Sequence, residues 1–438
     1  MSKHFEFKVE WQPAPGVTTP ELAATWGRYE IWVGERCVTQ VEAADGTFRR
    51  GVYGSLYPLA YWIASNWWLL TSHVRPTAVE SRYWTWRNVR TQPWLRQHNV
   101  RAAGEGMAWP DLTLVPEGAV TRVHWSQDHH RGLGAVRFAS DGSGFVPSRD
   151  FRERLAEIVN HVLDRLAEVG LMKTPLREEW EGVADSDSEE VSFCRTAARL
   201  GLDPYAVDDE IADRIIGAAA VISEEIAGDF FDSADASNLT AALDWTRNAV
   251  LEADKVAVEA SRSLNEIPSA IAEQVAAFRR ASDERPWQLG YAMARALRGE
   301  FALADTDGFD IAPWVGTADM QAPTRGLDGL AAVNGRRCGV VLGTPNRRPE
   351  TRRFGQARAL GRILAHPGQR QFILSAARSY DDRAARAFAA ELLAPAAGIR
   401  HMLGLLGEPD DDALEAIADR YDVSPLVVRH QYDNQISA

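Results

Sequence analysis

Two alanine- and leucine-rich stretches constrain this 438-residue chain more than any other feature. The first reads RRFGQARALGRILAHP from Arg352 to Pro367, the second SYDDRAARAFAAELLAP from Ser379 to Pro395. Both read as helices stopped by proline. In the first, Arg358 and Arg362 stand four residues apart and so share a helix face, with Arg352 and Arg353 one to two turns before them. Upstream, LDGLAAVNGRRCGVVLG (Leu327 to Gly343) reads as a hairpin leading into that helix.

Together these segments resemble the ImmA/IrrE-type metallopeptidases. The first helix of that family runs like R-F-T-x-A-H-E-L-G-H-x-L-x-H-P and the second like E-A-N-x-F-A-A-E-L-L-M-P. The tail ALEAIADRYDVSPLVVRHQYDNQ is similar to the family's closing helix-turn-helix, and the likeness covers about a third of the chain, from roughly residue 300 onward. The scaffold positions match and the chemical ones do not. Where the family carries His-Glu-x-x-His, this chain carries Arg358-Ala359-Leu360-Gly361-Arg362. Two imidazoles at that spacing can share a zinc ion, with the Glu between them as general base. Arginine stays protonated and offers a metal no lone pair. Ala359 removes the base, and Ala384 falls where the resemblance places the third ligand, a Glu. Asp381, Asp382 and His366 remain nearby, too few and too mixed for a zinc site. The resemblance therefore implies a pseudopeptidase, with no catalytic residue, metal or other cofactor expected.

The length exceeds a single core, so two or three domains are expected. An apolar fraction of 45% with 25% charged residues excludes wholesale disorder. Three distant cysteines (Cys37, Cys194, Cys338) lack metal-ligand spacing and suit a reducing cytoplasm. The opening MSKHFEFKVEW has no secretory pattern. Gly51 to Val74 is uncharged and long enough to span a bilayer, but its polar residues and scattered Tyr and Trp fit a buried helix in a soluble domain better. The net charge of −13 is uneven: residues 201–250 carry −9 and 401–438 carry −6, whereas 351–400 carry +6.

The expected architecture is α+β and multidomain. Residues 1–180 read as a Trp-rich α+β domain. FEFKVEW alternates as a half-buried strand does, and turns are expected at Gly34 and Asp45-Gly46. Ser55 to Leu70 reads as one buried helix with Pro58 in its first turn, and Ser148 to Val169 as an amphipathic helix stopped by Gly170. Residues 181–190 (EGVADSDSEE) read as an acidic linker, 191–300 as an all-helical domain, and 301–438 as the small zincin-like α+β domain with its helix-turn-helix-like tail.

Four constellations could carry function. Arg352, Arg353, Arg358 and Arg362 could bind an anion or an acidic partner, or could pair internally with Glu391, Asp381 or Asp382. Eleven of the 15 tryptophans precede residue 126, and between Arg75 and Arg101 six arginines face a single acid, Glu80. There Arg82, Trp84, Trp86, Arg87, Arg90, Trp94 and Arg96 alternate guanidinium with indole, the chemistry of a single-strand nucleic-acid groove and equally of a core rim. The run His124 to His130 holds three histidines and Asp128 but reads as an uncommitted loop. FCRTAARLGLDPYAVDDEIADRII and the C-terminal tail both have a two-helix shape, with acidic residues that oppose DNA binding. No phosphate-binding glycine motif and no nucleophile elbow occurs.

The expected function is that of a catalytically inactive metallopeptidase-like protein. It would act through protein binding as a cytoplasmic sensor, adaptor or regulator, in a setting of bacterial stress or anti-phage defence that the resemblance alone supplies. The alternative is a nucleic-acid-binding accessory protein that uses the Arg/Trp-rich domain.

Overall fold

The computed structural model describes residues 5–14, 16–74, 93–129, 136–259, 269–280, 285–344, 348–377, 379–406 and 410–437. With 53% helix and 19% strand the chain is α+β, as expected. It divides into two compact units, Met1–Asp208 and Asp209–Ala438.

In the first unit, β1 (Phe5–Trp11) alternates buried and open side chains. It leads through a short α1 (Pro20–Ala24) to its antiparallel partner β2 (Trp26–Val33). Short strands follow: β3 (Arg36–Cys37), β4 (Val41–Ala43), β5 (Phe48–Arg49) and β6 (Val52–Ser55). Gly34 and Gly46 take the left-handed backbone of the two turns expected there, at φ +57° and +81°. The apolar run then breaks at Asn66 into α2 (Tyr57–Ser65) and α3 (Trp67–Ser72), rather than forming one helix. The Asn66 side chain donates to the carbonyl of Trp62 at 2.9 Å, an alternative to continuing the helix.

After α4 (Pro93–His98) come β7 (Asp111–Pro116), β8 (Val120–Ser126), β9 (Val136–Phe138) and β10 (Gly142–Pro147). The strands form three small sheets, ordered β1-β2-β3 with β6 also on β2, β5-β4-β9, and β10-β8-β7. The 21-residue α5 (Ser148–Glu168) buries the stripe expected of it, Phe151, Leu155, Ile158, Val159, Val162 and Leu166. Gly170 follows at φ +83°.

The expected linker at 181–190 is instead the end of α6 (Pro175–Ala184) and the start of α7 (Ser188–Arg199). Asp187 caps α7 by accepting the amides of Glu189 and Glu190, so the acidic run makes a helix start. The boundary falls later, at Asp208, because α6 and α7 bury Leu176, Trp180 and Cys194 in the core of the first unit. Trp68 also donates to the Tyr205 hydroxyl at 3.0 Å. The first two-helix-shaped stretch is split by that boundary.

The second unit begins with α8 (Asp209–Ala219), α9 (Glu224–Ser233) and α10 (Leu239–Val256). Next are β11 (Val258–Glu259), α11 (Ser269–Arg280) and α12 (Pro286–Glu300). Periodicity alone implies a separate all-helical domain over 191–300, but α8 to α12 belong to the same unit as the sheet that follows. The apolar face of α10 closes on a sheet made by β12 (Gly316–Asp319), β13 (Leu327–Asn334) and β14 (Arg337–Leu342). Gly339 permits this contact, since a Cβ there would lie 2.1 Å from the Ala253 carbonyl.

The chain continues through α13 (Pro349–Ala365), β15 (Gln371–Ser375), α14 (Tyr380–Leu393) and α15 (Ala396–Leu406). It closes on α16 (Asp411–Tyr421) and α17 (Pro425–Gln435). The sheet runs β11-β14-β13-β15, with β12 parallel to β14. Asp422, at φ +51°, turns α16 toward α17, so the tail has its two-helix shape. No helix among the described residues is long and apolar enough to cross a membrane.

Candidate functional site

Helix α13 is buried along its whole second half, from Gly355 to Ala365. Its small residues make this possible. A Cβ at Gly361 would lie 2.8 Å from the Phe388 ring, and one at Gly355 would lie 2.7 Å from the Leu342 side chain. A helix packed on so many sides carries its Arg358 and Arg362 inward, leaving their side chains 8% and 4% exposed. Two guanidiniums cannot remain there alone, because breaking a buried ion pair by removing one partner costs about 3–5 kcal/mol. The fold supplies carboxylates from three other elements.

Arg358 donates to Asp328 on β13 at 2.8 Å, to the Ser375 carbonyl at 2.9 Å and to Asp382 at 3.3 Å. Asp382 is fully buried at the start of α14. The Ser375 hydroxyl donates to it at 2.5 Å and the Ser379 hydroxyl at 3.1 Å, while its own amide donates back to Ser379 at 3.2 Å. This reciprocal cap fixes the carboxylate at a helix N-terminus, where negative charge is favoured. Arg386 joins the group, donating to the Ser375 carbonyl at 2.7 Å and lying 3.5 Å from Asp328.

Arg362 donates to Asp229, on α9, at 2.5 Å and lies 3.7 Å from Asp381. Asp381 in turn lies 3.2 Å from His366 at the end of α13. The Asp229 carboxyl is raised to about 7, by burial first and, against the lowering by Arg362, by Asp382, Asp232 and Asp381 as well. Burial also disfavours the charge on Arg362, but Asp229, Asp381 and Asp382 more than offset this and raise its pKa above the ordinary arginine value.

The four arginines singled out in the sequence thus part company. Arg358 and Arg362 share one internal network. Arg353 instead donates to the carbonyls of Tyr421, Asp422 and Phe309 at 2.9, 2.6 and 3.0 Å, and Arg352 lies 3.7 Å from Asp319. Glu391 is not an arginine-pocket partner. It accepts from Arg295, Gln431, Gln435 and the Ala396 amide at 2.8, 2.7, 2.8 and 3.2 Å, tying α17 to the end of α14.

The zinc ion that the family resemblance implies does not fit these residues. The two ligand positions carry guanidiniums already held by carboxylates. Ala384 belongs to the apolar core, and both Asp382 oxygens accept hydrogen bonds. Among the described residues no three of His, Cys, Asp and Glu gather closely enough to hold a metal ion. Three charged members of the network, Asp328, Asp229 and Arg386, lie outside the residues singled out in the sequence. Asp328 could have been flagged as a lone charge in an apolar strand, whereas Asp229 gave no local signal.

In the first unit, Arg82, Trp84, Trp86, Arg87 and Arg90 lie outside the described residues. Trp94 is 4% exposed, stacked on His98 at 4.1 Å and packed with Leu95 and Val115, so it is a core residue. Arg96 is exposed. His124 lies on β8, His129 is exposed, and His130 is outside the described residues. Comparison with protein-family models finds no match to this chain, and comparison with curated proteins finds none either.

Proposed function

We propose that this chain is a catalytically inactive, peptidase-shaped protein that acts by binding another protein, as a cytoplasmic sensor, adaptor or regulator. The observation that carries this reading is the ion-pair network around Arg358 and Arg362. Metal-assisted hydrolysis needs open coordination positions and a base beside them. Guanidiniums tied to Asp229, Asp328 and Asp382 supply neither, and Ala359 is buried beside them. The burial of both arginines also favours partner recognition by other surfaces of the chain over direct capture of an anion in the pocket. The setting in bacterial stress or anti-phage defence rests on the family resemblance.

Mild affinity purification of the tagged chain from its host, with metal analysis of the same sample, tests this reading. A stoichiometric protein partner that survives high salt, with no stoichiometric zinc, is the expected result. Stoichiometric zinc together with cleavage of the co-purified protein would overturn it. The alternative, a nucleic-acid-binding accessory protein, draws on the arginines of 75–101, of which Arg96 is exposed. It would show itself as co-purifying nucleic acid released by salt.

A further inference from the structure

Strand β1 ends its sheet, and among the described residues no other strand pairs along its outer edge. The Gln12 amide donates to the Trp26 carbonyl at 3.0 Å, which extends the β1–β2 ladder and fixes its phase. Alternate residues of an antiparallel strand direct their backbone groups to opposite sides. Glu6, Lys8 and Glu10 therefore bond to β2, and Phe5, Phe7, Val9 and Trp11 turn their amides and carbonyls outward. Such a row is a template for one more strand.

The side chains along this edge are unfinished too. Phe7 and Val9 pack against the core yet stay only half-buried. A groove of about 340 Å³ opens beside them, lined by both residues and by Ile158 and His161 of α5. The opposite face of the strand carries Glu6, Lys8 and Glu10, alternating in sign, with Lys8 and Glu10 exposed.

We infer that β1 pairs antiparallel with β1 of a second copy of this chain, about a two-fold axis at Phe7, so that two sheets become one. Register selects this occupant. Paired residues lie on the same face of a sheet, so the axis must pass through a residue and not between two. At Phe7 it sets Phe7 against Phe7 and Phe5 against Val9 of the second copy, apolar against apolar. It also sets Lys8 against Glu6 twice over, which closes two ion pairs across the joint. An axis at Glu6 or Lys8 would oppose that residue to its own copy, like charge to like. One at Val9 would match Lys8 with Glu10 but set Phe5 against Pro13, which has no amide to donate. Any extended peptide could take the backbone bonds, whereas this strand also matches its own charges and apolar side chains.

Sedimentation equilibrium of the full chain near physiological salt tests the pairing. The wild type should reach twice the chain mass within about 1–100 µM, and a monomer throughout that range would overturn the inference. Glu6→Lys sets Lys against Lys and Lys8→Glu sets Glu against Glu, so each alone should weaken self-association at least about tenfold. An equimolar mixture of the two variants restores both ion pairs and should dimerise about as tightly as the wild type. A mixture that stays monomeric, or a Glu6→Lys protein that dimerises like the wild type, sinks the proposal. Lys8→Glu also faces Glu30 across the β1–β2 ladder. Should that variant fail to fold, Glu6→Lys, which faces Trp32, decides with the wild type: loss of the dimer supports the pairing and its persistence refutes it.

Discussion

Helix α14 carries a buried ionic cluster at each end, and the two are built on opposite plans. At its C-terminal end one carboxylate, Glu391, gathers four donors: an arginine, two glutamine amides and a backbone amide. At its N-terminal end guanidiniums are divided among several carboxylates, and Arg362 Nε finds no hydrogen-bond acceptor among the described residues. The first plan surrounds one charge with mostly neutral donors and ties α17 to the end of α14. The second holds more elements together, namely α9, β13, α13 and α14, but leaves a carboxyl whose charge depends on pH. Neutral donors make a fixed joint, and shared charges make an adjustable one.

Substitutions can break or sharpen that contrast, and we take them from the largest expected effect downward. Arg358→Ala leaves the fully buried Asp382 without its cation, and the unit 209–438 should lose about 3–5 kcal/mol, read from its urea unfolding transition. Glu391→Ala should cost about 2–3 kcal/mol, by leaving the Ala396 amide without its acceptor and the Gln431 amide with its Ala394 bond alone. Its particular sign would be early proteolytic release of α17, which Arg358→Ala should not produce. Arg362→Lys keeps the charge but loses the planar fork, so a smaller loss of about 1–2 kcal/mol is expected by the same measurement. Asp229→Asn should change stability least, by under about 1 kcal/mol near pH 8. Its effect lies in the pH profile: wild-type stability falls from about pH 4 to 7 and levels off, while the variant lacks that slope. A Glu391→Gln profile that flattened in the same way would erase the distinction between the two plans.

The parts of this fold that were legible in the sequence are those whose partners are near in the chain. The alternation of β1, the stripe of α5 and the turns at Gly34 and Gly46 need only local spacing. The shared face of Arg358 and Arg362 was legible for the same reason. Their partners were not, because Asp328 is 30 residues from Arg358 and Asp229 is 133 from Arg362. The middle helices read as a domain of their own, since periodicity reports an apolar face without saying what it covers. Helix α10 covers a sheet whose strands are written some 60 residues later, and it does so through Gly339, a residue with no side chain to betray the contact.

Helix α9 packs on β15, the last strand of its sheet, and Glu225 accepts the Arg370 and Gln371 amides where that strand begins, which bears on how the chain can be cut. A strand that ends a sheet is adhesive, and proteins protect such strands with charge, a bulge or a covering element. Here the protection comes from Glu225, supplied by a helix encoded well before the strand it guards. A fragment begun after residue 233 would keep every strand of the sheet and lose its guard. Such a fragment should stick to copies of itself, and for this unit the safe place to begin lies ahead of α9.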